Sequence, residues 1–512
     1  MTEAPATSVP RGPVERWLLR HTWLTVVVVV AAGLAIRIAA IRGTRLGSDE
    51  AVHFQLVNVS SIWEVYRATL TNAHPPLFFF LLHLWHLIGT SEFFLRLLPV
   101  LFGTALLGVA YRWADHLFGK SAALFTLAIL AFSPAVVALS AEVRGYTLLL
   151  FLMVSALLVL ERAIERRSVI AMLGFSGLLY LAILTHYSAF WFTLAAFTYV
   201  LIRIRAEHLP KSLIATWLVF QVGAAALYAF LYFSHLVNLR GSELERAARN
   251  HADYFYAEQE SIFTFLARQT SAFFRALFGS PAAAFVGLTA VALGIALLVS
   301  RKRPAALLLA LPFLLGAAGG LARLYPYGGT RHAAYLMPFA AVAFGVAAAA
   351  TTGRLWPALL VGVMLAGSSG SEIASRRPNI TEMKAAVEAI RAAAAPGSLL
   401  FSDLHTGLTL SYYLGGSDFF HENPTPTHFW KSGAGGYRLV GSHQWAFNAK
   451  RFSSELQQFI ESYSLSSGQT VWIIHVGPEL NPAQVLSQQY PTARLTHKFQ
   501  FGDIAVVEVR LP

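Results

Sequence analysis

Two carboxylates stand side by side, Asp49 and Glu50, directly after Gly47-Ser48 and just past a long apolar run. Further on, His74-Pro75-Pro76 opens a shorter apolar run rich in phenylalanine. A carboxylate at such a boundary can take a proton from an acceptor hydroxyl. Cations and hydrogen-bond donors can stabilise an anionic leaving group. The chain carries such groups where later apolar runs begin or end. They are Arg96, Arg144 and Tyr146 in SAEVRGY, His186 and Tyr187 in THYSA, and Tyr325 and Arg331 in YPYGGTRH. Each also has an ordinary role. Asp49 and Glu50 can cap the next helix, and prolines suit a first helical turn. Arg96 and Arg144 can snorkel to headgroups, and Tyr146, Tyr187 and Tyr325 fit an interfacial aromatic belt. His83 and His86 fit polar packing better than ligation.

The elements that must position these groups cross a membrane. The 512 residues are 56% hydrophobic and only 13% charged, where a soluble domain carries about 25% charged residues. Cysteine is absent, which excludes disulfides, a thiol nucleophile and Cys-based metal sites. The net charge of +12 falls in alternate loops, so it reads as membrane sidedness and not as nucleic-acid binding.

Residues 1–21 are a polar, basic cytoplasmic tail. Thr22–Ile41 is an uncleaved first span, since about 20 residues cross the hydrocarbon core. Leu77–Ile88 is short and interrupted by His83 and His86, so the expectation is an interfacial or re-entrant helix; a true span is the alternative. Charge parity decides between them. If 77–88 does not cross, spans follow at about 94–113, 121–139, 146–160, 169–184, 188–204, 213–235, 281–300, 304–322, 333–351 and 355–370. Arg112, Lys120, Arg162, Arg166, Arg167, Arg203, Arg205, Lys211, Arg301, Lys302, Arg303 and Arg354 then all face the cytoplasm, as the positive-inside rule requires. The count is about eleven spans, with the C-terminus outside. The candidate groups then collect on the outer face.

The expected fold is therefore a polytopic α-helical membrane protein. Its transmembrane domain spans 22–370, with outer loops 42–93 and 236–280 that carry interfacial helices. Within the second loop, Glu243, Glu245, Arg246 and Arg249 alternate in charge before an aromatic run. Gly367–Ser371 reads as a linker, and 371–512 as a small extracytoplasmic α/β domain. Thr381–Ala395 is an expected helix with Thr381 as a cap. Leu399–Phe401, Val471–Ile474 and Ile504–Val509 are expected strands.

Several segments, taken in order, resemble a known group: an Arg in the first span with the acidic pair (IRIAAIRGTRLGSDEA), HPPLFFFLLHLW, SEFFLRLLPVLFG, FSPAVVALSAEVRGYTLLL and RHAAYLMPF. They resemble the protein O-mannosyltransferases and lipid A aminoarabinose transferases of the glycosyltransferase C superfamily. The resemblance implies a polyprenyl-phosphate-linked sugar donor, with Asp49 as catalytic base. It places Arg96 and Arg144 at the donor. Leu77 and phenylalanines follow His-Pro-Pro where protein O-mannosyltransferases usually have a lysine, and the C-terminal domain is no β-trefoil, so sugar and acceptor stay open.

With a lipid-phosphate sugar, the phosphate leaves without a general acid. A single base with direct displacement inverts the anomeric carbon, whereas retention needs a second carboxylate as nucleophile. The expectation is an inverting transferase on the outer face of a bacterial-type inner membrane. Catalytic candidates are Asp49 and Glu50. Donor-phosphate and substrate candidates are His74, Arg96, Arg144, Tyr146, His186, Tyr187, Tyr325 and Arg331. The acceptor is a lipid, glycan or protein. No metal-binding set is indicated and no cofactor is assigned, although a divalent ion is compatible with this chemistry. The alternatives are a non-catalytic transporter or flippase for lipid-linked sugars and an inactive lipid-binding relative.

The topology is open to direct measurement, because a cysteine-free chain takes single cysteines cleanly. Gly89→Cys is expected to label from the outer side and Ser168→Cys from the cytoplasm. Labelling of Gly89→Cys only from the cytoplasm overturns the assignment.

Overall fold

A proline inside an apolar run decides the course of the chain near the site. The structure, a computed structural model, describes residues 12–240, 251–352, 354–375, 378–416, 428–478 and 480–511. The charges at Glu243, Glu245, Arg246 and Arg249 lie outside the described residues.

Helix α1 (Pro13–Arg20) leads into α2 (Thr22–Ile41), and the connection after it holds α3 (Ser48–Val57) and α4 (Ile62–Thr69). Next come α5 (Leu77–His86), α6 (Glu92–Phe132), α7 (Pro134–Ser140), α8 (Tyr146–Glu165), α9 (Val169–Ile183), α10 (Ala189–Glu207) and α11 (Lys211–Ser234). The connection before the next long apolar helix contains α12 (Ile262–Phe278), an amphipathic helix that buries Phe265 and Phe273 and exposes Phe263. Helices α13 (Pro281–Ser300), α14 (Ala305–Leu321), α15 (Met337–Thr352) and α16 (Trp356–Ser375) complete the apolar part, with a 3₁₀ turn at Arg331–Leu336 before α15. Among the described residues, seven helical stretches are long and apolar enough to cross a membrane, and α5, α9 and α14 are shorter apolar helices. The chain is a multi-pass membrane protein. Helix α5 has ten residues, about 15 Å at the helical rise, which is half of a hydrocarbon core.

The C-terminal part is α/β: α17 (Ile380–Ala393), β1 (Leu399–Ser402), α18 (Leu404–Leu414), β2 (Phe429–Ala434), β3 (Tyr437–Ser442), α19 (Ala449–Ser462), β4 (Thr470–Val476), α20 (Pro482–Gln489), β5 (Arg494–Phe501) and β6 (Ile504–Arg510). The sheet order is β2-β3-β1-β4-β6-β5. β1 is parallel to both β3 and β4, and the remaining pairs are antiparallel. Leu400, Trp472 and Ile474 face α17 and α18. Phe401, Val471 and Ile473, on the other face, pack with α19 and α20.

Three expectations are corrected. Gly367–Ser371 is not a linker; it lies within α16. Thr381 is not the cap of α17; Asn379 is, its side chain accepting from the Thr381 N–H. The span expected at 121–139 is interrupted: α6 turns at Gly119, where φ is 81°, and stops at Phe132, with Ser133 extended before α7.

The chain divides into two compact units. One comprises Met1–Arg42, Thr69–Phe78 and Arg96–Arg376; the other comprises Gly43–Ala68, Phe79–Leu95 and Arg377–Pro512. The acidic pair thus belongs to the same unit as the C-terminal sheet.

In the first unit the break after α6 creates a problem that Arg37 solves. Pro134 has no N–H to offer the Leu130 carbonyl, and carbonyls at a helix end need outside donors. The fully buried Arg37 guanidinium donates from Nη2 to the Leu130 oxygen (2.9 Å) and from Nη1 to the Ala131 oxygen (2.8 Å). Its Nε donates to Ser140 Oγ on α7 (3.0 Å). Ser369 Oγ donates to the Phe132 carbonyl, and Ser133 Oγ donates to the Leu277 carbonyl at the end of α12. Helix α6 approaches closely at Gly103, where a Cβ would stand 2.4 Å from Ser140 Oγ.

Replacing Arg37 by Met removes donors and leaves buried carbonyls orphaned, at a cost on the order of 3 kcal/mol or more. The apparent Tm of Arg37→Met in micelles is expected to fall by several degrees, with Arg37→Lys between it and the parent. An unchanged Tm for Arg37→Met rules out this role.

Candidate active site

His74 precedes two prolines, so its segment cannot continue as helix. The Leu77 N–H donates to the Leu184 carbonyl (2.9 Å), tying this segment to the α9–α10 connection. His74 Nε2 lies 3.0 Å from Arg144 Nη2. The guanidinium can only donate, so Nε2 accepts and His74 is the neutral tautomer with its proton on Nδ1. Arg144 is buried, with its guanidinium carbon 5.8 Å from the centre of the Tyr146 ring. The His186 ring packs 4.8 Å from Tyr146 and 5.1 Å from His74, centre to centre. Four of the expected residues, His74, Arg144, Tyr146 and His186, therefore form one cluster, drawn from three separate stretches of sequence.

The protonation of His186 follows from its contacts. Its Nδ1 accepts from the Ser188 backbone N–H (3.1 Å), which puts the proton on Nε2. That Nε2–H is buried and finds no partner among the described residues. Burial, then His332, Arg144 and Arg331 nearby, push the ring well below its ordinary pKa. His186 is thus a neutral donor at physiological pH. A buried donor of this kind is suited to an anionic oxygen that arrives with a ligand.

Tyr187 points elsewhere. Its hydroxyl bonds His235 Nδ1 (2.7 Å), and His235 Nε2 donates to the Asn72 carbonyl. It braces the segment leading to His74 from outside the cluster. Tyr325 is beside the cluster: its ring lies 6.1 Å from His332, and burial keeps its phenol well above the ordinary pKa, hence protonated. Arg331 approaches Glu142 at 3.8 Å (Nη1 to Oε2) and stays about one-third exposed. Arg96 is buried near the start of α6.

Arg331 and Glu142 line a cavity of about 1220 Å³ within this unit. Its polar lining adds His251, Asp253, Arg268, Arg275 and Glu372, and its apolar wall includes Leu139 and Met337. Glu260 holds Arg268 through two hydrogen bonds. Asp253 accepts from Thr330 Oγ1 (2.6 Å) and from Gln269 Nε2 (3.3 Å). This brings the 328–330 backbone against α12: a Cβ at Gly329 would lie 2.7 Å from the Ala272 carbonyl oxygen. Arg268 and Arg275 were not among the sequence candidates. Their signal is the spacing of Arg268, Ala272 and Arg275, which puts them on one helical face.

In the other unit, the acidic pair opens α3 and the two carboxylates differ. Glu50 is buried, and its Oε2 accepts from the Gly47 N–H (2.9 Å). It caps its own helix, the ordinary role that the sequence left open. Asp49 is half-buried, and its carbonyl accepts from His53 Nδ1 (2.7 Å). His83 and His86 donate through Nδ1 to the Val57 and His83 carbonyls, which is the polar packing expected of them. No group of three or more metal-ligating side chains occurs among the described residues.

Residues 73–233 match the dolichyl-phosphate-mannose-protein mannosyltransferase family. No curated protein matches the chain by sequence. Similar solved structures include ArnT from Cupriavidus metallidurans in the apo state, with a TM-score of 0.59 and 14% identity over 96% of this chain and 98% of that one. The same protein bound to undecaprenyl phosphate gives a TM-score of 0.57 and 16% identity, covering 95% and 98%. The archaeal oligosaccharyltransferase AglB from Archaeoglobus fulgidus, in complex with an inhibitory peptide and a dolichol-phosphate, gives 0.53 and 12%, covering 89% and 70%. At these identities the likeness is one of fold. The chain thus shares its fold with these solved membrane proteins, and its residues 73–233 match the mannosyltransferase family model.

Proposed function

We propose that the protein is an inverting glycosyltransferase that moves a sugar from a polyprenyl-phosphate donor to an acceptor hydroxyl on the outer face of a bacterial-type inner membrane. The observation that carries this reading is the cluster of His74, Arg144, Tyr146 and His186. It is a preorganised set of donors with one permanent cation and two neutral imidazoles. Such a set stabilises a departing phosphate without needing to supply it with a proton. The cavity lined by Arg275 and Arg331 gives room for a large anionic substrate. The likeness to ArnT, solved with undecaprenyl phosphate, supports a donor of that chemistry.

In this reading Asp49 takes the acceptor proton. Glu50 is occupied at the helix N-terminus and orients the turn, so one carboxylate is left to act as base and the displacement is direct. Arg144 and His186 bind the phosphate oxygens, and His74 holds Arg144 in place. Residues 22–370 act as the transferase domain and 371–512 as an extracytoplasmic domain.

Incubating the purified protein with undecaprenyl-phosphate hexoses and pentoses, and detecting released undecaprenyl phosphate, tests the activity. Asp49→Asn is expected to slow single-turnover transfer by about 10²–10⁴ with donor affinity kept. Near-normal transfer by Asp49→Asn, with donor still bound, would instead favour a carrier of lipid-linked sugars.

Arg144→Ala is expected to weaken undecaprenyl phosphate binding about tenfold or more, since a charge-assisted bond is worth ~1.5–3 kcal/mol. Arg144→Lys should recover only part, because the guanidinium fork is lost. Unchanged affinity in Arg144→Ala removes this residue from the donor site.

A further inference from the structure

The C-terminal sheet has a place where an open α/β domain ordinarily takes a ligand. From β1 the chain passes through α18 on one face to β2 and β3. From β3 it passes through α19 on the other face and returns to β4, beside β1. β4 then leaves through α20, on the face of α19, so the connections from β1 and β4 depart on opposite faces at their carboxyl ends, the topological switch point where such folds bind ligands. The residues there are polar and well held. Asp403 follows β1 and is fully buried; its Oδ1 accepts from the Thr406 N–H (2.7 Å), and its Oδ2 from the Phe447 N–H (3.1 Å) and His475 Nδ1 (3.0 Å). His405 sits next, on the first turn of α18, with its backbone N–H bonded to the Trp445 carbonyl. Asp503, in the β5–β6 turn, has its carbonyl bonded to the Gly477 N–H just past β4.

The chain's own outer loop lies on this edge. Ser48 Oγ bonds His405 Nδ1 at 2.8 Å. Arg45 grips both oxygens of Asp503 at 2.7 Å, a bidentate geometry that fixes direction as well as distance. The Leu46 N–H donates to Tyr413 Oη (3.0 Å), and Thr44 forms a β-bridge with Asn379. Beyond it, α3 runs along α18: Ala51 enters the domain's core, and Gln55 Nε2 donates to the Gly416 carbonyl (3.2 Å).

We infer that the C-terminal domain is a binding module whose ligand is the loop 44–57 of the same chain, and that His405 and the Arg45–Asp503 pair are positioning residues for Asp49. A domain that clamps the residues on both sides of a base restricts where its carboxylate can go. Burial keeps His405 below its ordinary pKa; Asp403 and Asp49 work against this, and Arg45 and His475 reinforce it. It therefore bonds Ser48 as a neutral ring. The catalytic consequence rests on the reading of Asp49 as base; the docking rests on the contacts alone.

Two readouts on the full chain in nanodiscs separate these. Hydrogen exchange of the 45–54 amides reports docking without reference to activity. Asp503→Asn and His405→Gln are expected to raise it about tenfold or more by releasing a local unit. Unchanged exchange in both overturns the inference. Single-turnover transfer with undecaprenyl-phosphate sugars reports positioning. His405→Gln is expected to lower the rate, toward ~10²-fold for a misplacement of about 1 Å, with undecaprenyl phosphate affinity unchanged. Combined with Asp49→Asn, it should cost nothing further, because both changes act through one group. Faster exchange with undiminished transfer, or additive losses in the double variant, overturns the positioning role. Normal transfer by Asp49→Asn alone counts against the proposed function and leaves the docking result standing.

Discussion

A guanidinium inside the membrane domain holds together a helix that its own sequence interrupts. Leu130 and Ala131 lose their helical partners where Pro134 enters, and Arg37 supplies the missing donors from another helix. In lipid, an unsatisfied carbonyl has no water to fall back on. The break is therefore tolerable only with Arg37 present. It is also useful: α7 restarts in a new direction, lines the cavity with Leu139, and leads directly to Glu142 and Arg144. The position of the Arg144 cluster thus depends on a contact made within the apolar part of the chain, well before the site in sequence.

The site residues differ in what they are free to do. His74 accepts from a cation, so it stays neutral, and His186 accepts from a backbone amide, so its outer nitrogen donates. These states follow from partners that have no choice of role. Two fixed donors, a distant guanidinium for His74 and a local backbone amide for His186, thereby determine the chemistry of two imidazoles with the same unperturbed pKa.

Much of the fold was legible, because apolar length is a strong signal: the long apolar helices α2, α8, α10, α11, α13 and α15 lie where spans were expected. The interruption at Ser133-Pro134 was not, since apolar residues continue on both sides. Gly367–Ser371 looks like a linker by composition, yet membrane helices carry glycine readily. In the C-terminal domain the apolar runs of β1, β4 and β6 stood out. The β2–β3 hairpin did not, although Gly435-Gly436, both at positive φ, is a recognised two-residue turn; neither strand is a continuous apolar run. Of the site, the residue types were legible but their grouping was not. Nothing local tells that Arg144 meets His74, or that Tyr187 turns to His235 while its neighbour His186 joins the cluster. The pairing of Asp49 with Glu50 misleads in the opposite direction, because adjacent carboxylates on a helix start point apart and only Glu50 reaches back to cap.

The core of the C-terminal sheet is not encoded by the C-terminal sequence alone. Ala51 contributes to it from the connection after α2, and Tyr412 bonds the Thr90 carbonyl from the stretch before α6. A chimera that exchanges only the residues after α16 with those of a relative would bring in a sheet shaped for a different loop. The exchangeable module is discontinuous, made of 43–68, 79–95 and 377–512 together. A change of specificity by recombination would have to carry all three pieces at once, so such proteins are expected to diversify by point substitution more readily than by shuffling.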